Sequence, residues 1–177
     1  MRILMINASP KKNGATEQVL QWMKEALEEQ YETESVCLGE QSIAFCRGCK
    51  QCYKTGRCVL PADGVEELLH RMERNDAILF AVPSYWGDVP AQFKALIDRC
   101  TPYADTNPLP GHPRPAAEKR VFAAALRAGG RTGECEHLLQ CVEHWSGHMG
   151  AEYDGGVMLT RVDGKEDLTL EQEVSVK

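Results

Sequence analysis

A chain of 177 residues is long enough to bury one core and short for two ordinary domains, so a single domain is expected. Its formal charge of −6 leaves no basic footprint and argues against nucleic acid as a partner; an anionic ligand would need a local site. No apolar run approaches the roughly 18 residues of a membrane span, and the start "MRILMINASP" lacks a signal-peptide core, so the expected location is the cytoplasm, with no membrane partner. Eight cysteines are an even number, but too dilute in a chain of this length for a secreted disulfide scaffold.

"RILMIN" (2 to 7) is a continuous apolar run closed by turn residues, as a strand buried on both faces requires. From Thr16 to about Glu29 the period becomes helical, with Val19, Met23 and Leu27 spaced by four, and "YETESVCL" (31 to 38) alternates like an outer strand. Asp63 and Glu66 form a plausible capping box for a helix with Val65, Leu68, Leu69 and Met72 on one face. A second buried run, "DAILFAVPSYWG" (76 to 87), precedes a helix with Asp88 as its expected N-cap, Pro90 near its start and Phe93, Leu96, Ile97 and Cys100 facing inward. Its last residues, Asp98 and Arg99, suggest a surface ion pair. The Pro-rich stretch 102 to 115 has no period and reads as a loop. "RVFAAAL" (120 to 126) is a third buried run, followed by a helix burying Leu138, Leu139, Val142 and Trp145; "AEYDGGVML" (151 to 159) is a weaker fifth strand. Five strands alternating with helices predict an α/β three-layer sandwich, a five-stranded parallel sheet with helices on both faces. We place this domain at 1 to 160 with a cysteine-rich insert at 43 to 62, and leave 161 to 177 as a tail of unassigned structure.

Ligands of open parallel sheets bind at the carboxyl ends of the strands. Three segments fall there: "NASPKKNGAT", "PSYWGDVP" and "RAGGRTGE". The first offers Ser9, Lys11, Asn13, Gly14 and Thr16 before a helix start, the chemistry a phosphate needs, although a polar turn that only caps the helix explains it as well. It is neither a dinucleotide G-x-G-x-x-G nor a Walker A loop. The second sets Tyr85 and Trp86 between Pro83 and Gly87, which suits a flat ring; tucking under the next helix would account for Tyr85 alone.

Cys46, Cys49, Cys52 and Cys58 are spaced C-x2-C-x2-C-x5-C, and Gly56 can take the positive φ that returns Cys58 toward the other three. A four-iron cluster, metal-free loop thiols and a tetrathiolate zinc site all stand as readings; a thioredoxin-like pair is the weakest. Cys37, Cys100, Cys135 and Cys141 are scattered and read as small buried hydrophobes. Cys141, His144 and His148 have helical metal-ligand spacing, but a solvated face is the stronger explanation.

"NASPKKNGAT", "CRGCKQCYKTGRCVLPADG" and "PSYWGDVPAQFKALIDR" together resemble the signature segments of the flavodoxin-like NADPH-dependent FMN reductase family, in its iron-sulfur flavoprotein branch. The resemblance covers the chain to about residue 160. It implies FMN, with phosphate at Ser9, Lys11, Asn13, Gly14, Ala15 and Thr16, and the ring at Pro83, Ser84, Tyr85, Trp86 and Gly87. The loop with Gly129 and Gly130 would lie close by. Ala15 departs from the Asn or Ser usual there. The resemblance further implies a [4Fe-4S] cluster on the four cysteines, NAD(P)H or ferredoxin as electron partner, a small-molecule acceptor or donor, no catalytic acid-base residue, and a homodimer or homotetramer. An electron-transfer flavoprotein serving protein partners is the alternative.

Overall fold

The computed structural model describes residues 1–177. Strands β1 (Arg2–Asn7), β2 (Glu32–Cys37), β3 (Ala77–Pro83), β4 (Arg120–Leu126) and β5 (Glu152–Leu159) lie in the order β2-β1-β3-β4-β5, every neighbouring pair parallel. In β1 every residue after Arg2 is buried, and in β3 every residue from Ile78 to Val82, because the central strands are covered on both faces. At the sheet edge, β2 buries only its last two residues, Val36 and Cys37, so the alternation expected from its sequence is not seen in its burial.

Helices α1 (Ala15–Leu27), α3 (Gly64–Arg74), α4 (Ala91–Arg99) and α5 (Gly133–Met149) cover the sheet, with short α2 (Cys52–Thr55) in the cysteine loop and α6 (Leu170–Val176) at the end. Side chains alternate across the sheet with period two. Ile3, Met5 and Leu79 therefore pack with Val19, Leu20 and Met23 of α1. Leu4, Ile6 and Phe80 face the other way, onto α3, α4 and α5. There the Phe80 ring lies 5.1 Å from Phe93 and 5.2 Å, edge-on, from Trp145. Each such pair adds about 0.5–1.5 kcal/mol beyond its buried area. The result is the three-layer, flavodoxin-like sandwich that the sequence predicts. No helix is long and apolar enough to cross a membrane.

The capping box of α3 forms as expected: Asp63 Oδ1 accepts from Val65 N at 3.0 Å, and Asp63 N donates to Glu66 Oε2 at 2.9 Å. Two local expectations need correction. Asp88 does not cap α4; Pro90 does, because Asp88 exchanges backbone hydrogen bonds with Tyr85 and closes a turn. Nor do Asp98 and Arg99 pair on the surface. Asp98 binds Lys94 at 2.5 Å, whereas Arg99 shares the helical stripe of Ala95 and Leu96 and is buried with them.

The tail resolves into structure. Thr169 and Gln172 cap α6, Val176 packs against the α1 side of the core, and Lys177 reaches Glu25 at 3.1 Å. In β5 the register with β4 moves from Val121↔Tyr153 to Ala123↔Gly156, so β5 carries one extra residue, a β-bulge at Gly155 with φ 106°. A Cβ on Gly156 would sit 2.3 Å from Ala123 O, so only glycine lets the two strands approach there.

Candidate cofactor cavity and cysteine loop

At the end of β1 the chain turns through a relay of local hydrogen bonds. Asn7 Oδ1 accepts from Ser9 N at 2.9 Å, Ser9 Oγ accepts from Lys11 N at 3.0 Å, and Asn7 Nδ2 donates to Glu17 Oε2 at 2.7 Å. Asn13 takes the left-handed conformation, φ 60°, and Gly14 then starts α1 without a side-chain cap. The first amides of α1 therefore present the positive end of the helix with no acceptor from the cap. Ser9 and Thr16 are both only 4 % exposed. Gly39 holds the loop from outside, since a Cβ there would lie 2.1 Å from Pro10 O.

At the end of β3, Ser84 N donates to Leu126 O at 2.7 Å, and Tyr85 and Asp88 then close a two-residue turn around Trp86 and Gly87. Both central residues have positive φ, 56° and 81°, the pattern of a type I′ turn. For tryptophan that conformation costs about 1–2 kcal/mol. Its indole is fully exposed, so no packing within the chain offsets the cost.

Ser84 Oγ donates to Glu134 Oε2 at 2.6 Å, Glu134 Oε1 lies 3.0 Å from Arg127 Nη2, and Arg127 Nη1 donates to Arg131 O at 2.8 Å. This chain ties the loop after β3 to the loop after β4. Arg127 Nε is buried without a partner.

These loops enclose a cavity of about 390 Å³, within the range of small-molecule sites. It brings Ser9, Lys11, Gly14, Ala15 and Thr16 together with Pro83, Ser84, Tyr85 and Trp86. Asn13, Gly87, Gly129 and Gly130 are not in its wall. Asn13 and Gly87 shape the two turns, and Gly129 O accepts from Arg161 N at 3.0 Å. The wall also includes Arg127, which opens the strand-end segment "RAGGRTGE", and Val162 and Asp163, which the sequence did not single out. Applying the strand-end rule to β5 as well would have pointed to the last two. A phosphate suits the uncapped helix start, the two buried hydroxyls and Lys11, and a flat ring suits the slot beside Tyr85 and Trp86. An apolar groove of about 420 Å³ lies elsewhere, lined by Ile3, Leu27, Phe122 and Val176, and lacks such convergent polar groups.

The four clustered cysteines are free thiols and line one cavity of about 230 Å³. Positive φ at Gly48 (62°), Lys50 (53°) and Gly56 (72°) curls the chain around it, Gly56 in the conformation its sequence position suggested. Cys46 and Cys49 are exposed, and Cys52 and Cys58 half-buried. Burial raises the pKa of Cys52, and the neighbouring Cys58, Cys46 and Cys49 add to the rise. No three of the four sulfurs lie within 4.8 Å of one another. Tetrathiolate zinc, with bonds of about 2.3 Å, would need sulfurs about 3.8 Å apart.

Arg99 pins the base of this loop. Its Nη1 donates to Ala44 O at 3.0 Å and Asp63 Oδ2 at 2.6 Å, its Nη2 to Asp63 Oδ1 at 3.3 Å, and Ala44 N donates to Asp63 Oδ2 at 2.9 Å. Burial works to raise the pKa of Asp63, but the guanidinium and the amides of Ala44 and Val65 outweigh it and hold the carboxyl low. Burial likewise works against the Arg99 charge, and the bond to Asp63 more than restores it.

The sequence profile of the NADPH-dependent FMN reductases matches residues 1–161. An iron-sulfur flavoprotein of Methanosarcina thermophila is 33% identical over 147 residues, 82% of this chain and 72% of that protein. An iron-sulfur flavoprotein of Methanocaldococcus jannaschii is 36% identical over 103 residues, 58% of this chain and 53% of its own length. The chain thus spans about half the length of some of these relatives, and 45% of one from Clostridioides difficile. Among solved structures, an NAD(P)H:quinone oxidoreductase from Methanothermobacter marburgensis superposes with a TM-score of 0.76 at 20% identity, covering 99% of this chain and 92% of that one, a likeness of fold. With its sheet order, its strand-end cavity and a profile match over nearly the whole chain, this flavodoxin-like protein belongs to the NADPH-dependent FMN reductase family, and its curated homologues are iron-sulfur flavoproteins.

Proposed function

We propose that this oxidoreductase holds FMN in the strand-end cavity and a [4Fe-4S] cluster on Cys46, Cys49, Cys52 and Cys58, passing electrons between NAD(P)H or a ferredoxin-like carrier and a small acceptor. One observation carries the reading: an uncapped helix start flanked by buried Ser9 and Thr16 opens into the same cavity as Tyr85 and Trp86. Bound FMN supplies hydride and single-electron chemistry, and the cluster supplies one-electron exchange.

The chain's own work is binding and orientation. Ser9, Thr16, Lys11 and the first amides of α1 would hold the phosphate, with Ala15 contributing backbone only. Asn13 and Gly14 set the turn. Pro83, Ser84, Tyr85, Trp86 and Gly87 would border the ring, and the Ser84–Glu134–Arg127 chain fixes their distance from Gly129 and Gly130. No side chain is assigned as acid or base. The full exposure of Trp86 supports a dimer or tetramer in which a second copy covers the ring.

A second reading, an electron-transfer flavoprotein serving protein partners, is favoured by the exposure of Cys46 and Cys49, which would bring a cluster to the surface. The visible spectrum of protein purified without oxygen, with iron, zinc and acid-labile sulfide assayed on the same sample, tests both cofactors. A flavin spectrum over broad iron–sulfur absorption, with about four irons per chain, is expected. Flavin without iron would remove the cluster from the proposal, and protein without flavin would overturn it.

A further inference from the structure

Outside both regions, Asp88, His137 and Cys141 converge. His137 and Cys141 are one turn apart on α5 and share a face. Asp88 arrives from the end of the turn that carries Trp86, 49 residues earlier than His137. His137 Nε2 lies 3.3 Å from Asp88 Oδ1 and 3.6 Å from Cys141 Sγ, and the three atoms fall within 4.8 Å of one another. They are the only such convergence of three His, Cys, Asp or Glu ligand atoms in the chain.

A tetrahedral zinc ion with bonds of about 2.0–2.3 Å needs N···O and N···S edges of about 3.4 and 3.6 Å. The two edges from His137 Nε2, 3.3 and 3.6 Å, match these, and Asp88 and Cys141 offer ligand atoms within 4.8 Å of each other. Asp88 Oδ1 accepts from Val89 N at 2.7 Å, the kind of outer contact that orients a ligating carboxylate. His148, a candidate from sequence spacing, is instead 2.8 Å from Asp105 and outside the set. Lys94 lines the same groove between α4 and α5, but its ammonium is held by Asp98 at 2.5 Å.

We propose that Asp88, His137 and Cys141 bind one divalent ion of the zinc class, with a fourth position open to solvent. The thiolate and imidazole favour zinc or cobalt over magnesium or calcium. On binding, the Cys141 thiol proton passes to solvent and a metal–sulfur bond forms. The bound ion would tie the turn bearing Trp86 to α5. This site depends on neither flavin nor cluster.

Cobalt(II) is the probe. The full-length protein, purified without oxygen, and the variants His137→Ala and Cys141→Ser are each saturated with cobalt and freed of excess. Because other thiols of the chain compete for cobalt, the difference between proteins is the readout. Wild type is expected to retain one more cobalt per chain than either variant, and the difference spectrum to show thiolate-to-cobalt charge transfer. Equal stoichiometry and spectra would overturn the site. Should a variant fail to fold by circular dichroism, a zinc-edge anomalous map of wild-type crystals soaked in zinc decides. A peak between His137 and Cys141 supports the site, and its absence overturns it.

Discussion

In the strand-end cavity the loops leave β1, β3 and β4 at positions set by parallel register, and Ser9 and Thr16 are buried like core residues. The cysteine loop has a single turn of helix, no strand, and two of its four thiols exposed; one buried guanidinium joins its two ends. A site held by many backbone contacts tolerates the loss of any one side chain, whereas a site held by one clamp does not. The two regions are therefore expected to fail separately.

The largest test of that separation is Cys58→Ser. It is expected to remove most of the bound iron while flavin per chain stays at the wild-type level, both read from one purified sample; loss of the two together would break the comparison. Next is Arg99→Met, which strands Asp63 in a site where its carboxylate is only 10% exposed. Removing one partner of a buried pair costs about 3–5 kcal/mol, read as a lower urea midpoint, with partial recovery in Arg99→Lys, which restores charge without the planar fork.

The same pair sets a pH dependence. The folded pKa of Asp63 lies below its unfolded value, so its stabilisation is complete above the unfolded value of about 3.9 and is lost as pH falls through the lower folded one. Hydrogen exchange in residues 43 to 62 is expected to accelerate in that acid window before exchange in β1 and β3 does.

Ser9→Ala combined with Thr16→Ala sharpens the other side. Each lost hydrogen bond to a charged group is worth about 1.5–3 kcal/mol, so FMN should bind at least about tenfold more weakly by fluorescence titration, with iron content unchanged. The smallest effect is that of Trp86→Gly. Relief of the left-handed strain should outweigh the added freedom of the unfolded chain and raise stability by up to about 1 kcal/mol in chemical denaturation. Unchanged or lower stability would mean that the indole is packed by something outside this chain.

Much of the fold is legible because its signals are local. "RILMIN" and "RVFAAAL" are apolar without alternation, which only a doubly covered strand explains, and Asp63 with Glu66 announces α3 three residues apart. The segment "NASPKKNGAT" is legible as a cavity-lining turn before a helix for the same reason. Arg99 is not, because a charge invites a surface assignment unless Asp63, 36 residues away, is known to meet it. Asp88 has the sequence position of an N-cap, but the turn that claims it depends on backbone bonds to Tyr85 rather than on its own propensity. Val162 and Asp163 join the cavity wall through the pairing of β5 with β4, which no short motif encodes.

The bulge at Gly155 has a bearing on chain length. Tyr153 packs toward α5 and Leu159 toward α1, although an even number of residues separates them and a regular strand would turn both the same way. The extra residue absorbs that reversal. A chain shortened by one residue at 155 would keep both halves of β5 in phase with β4 and lose only the kink, so the edge of a sheet here accommodates a change of length that is ordinarily confined to surface loops.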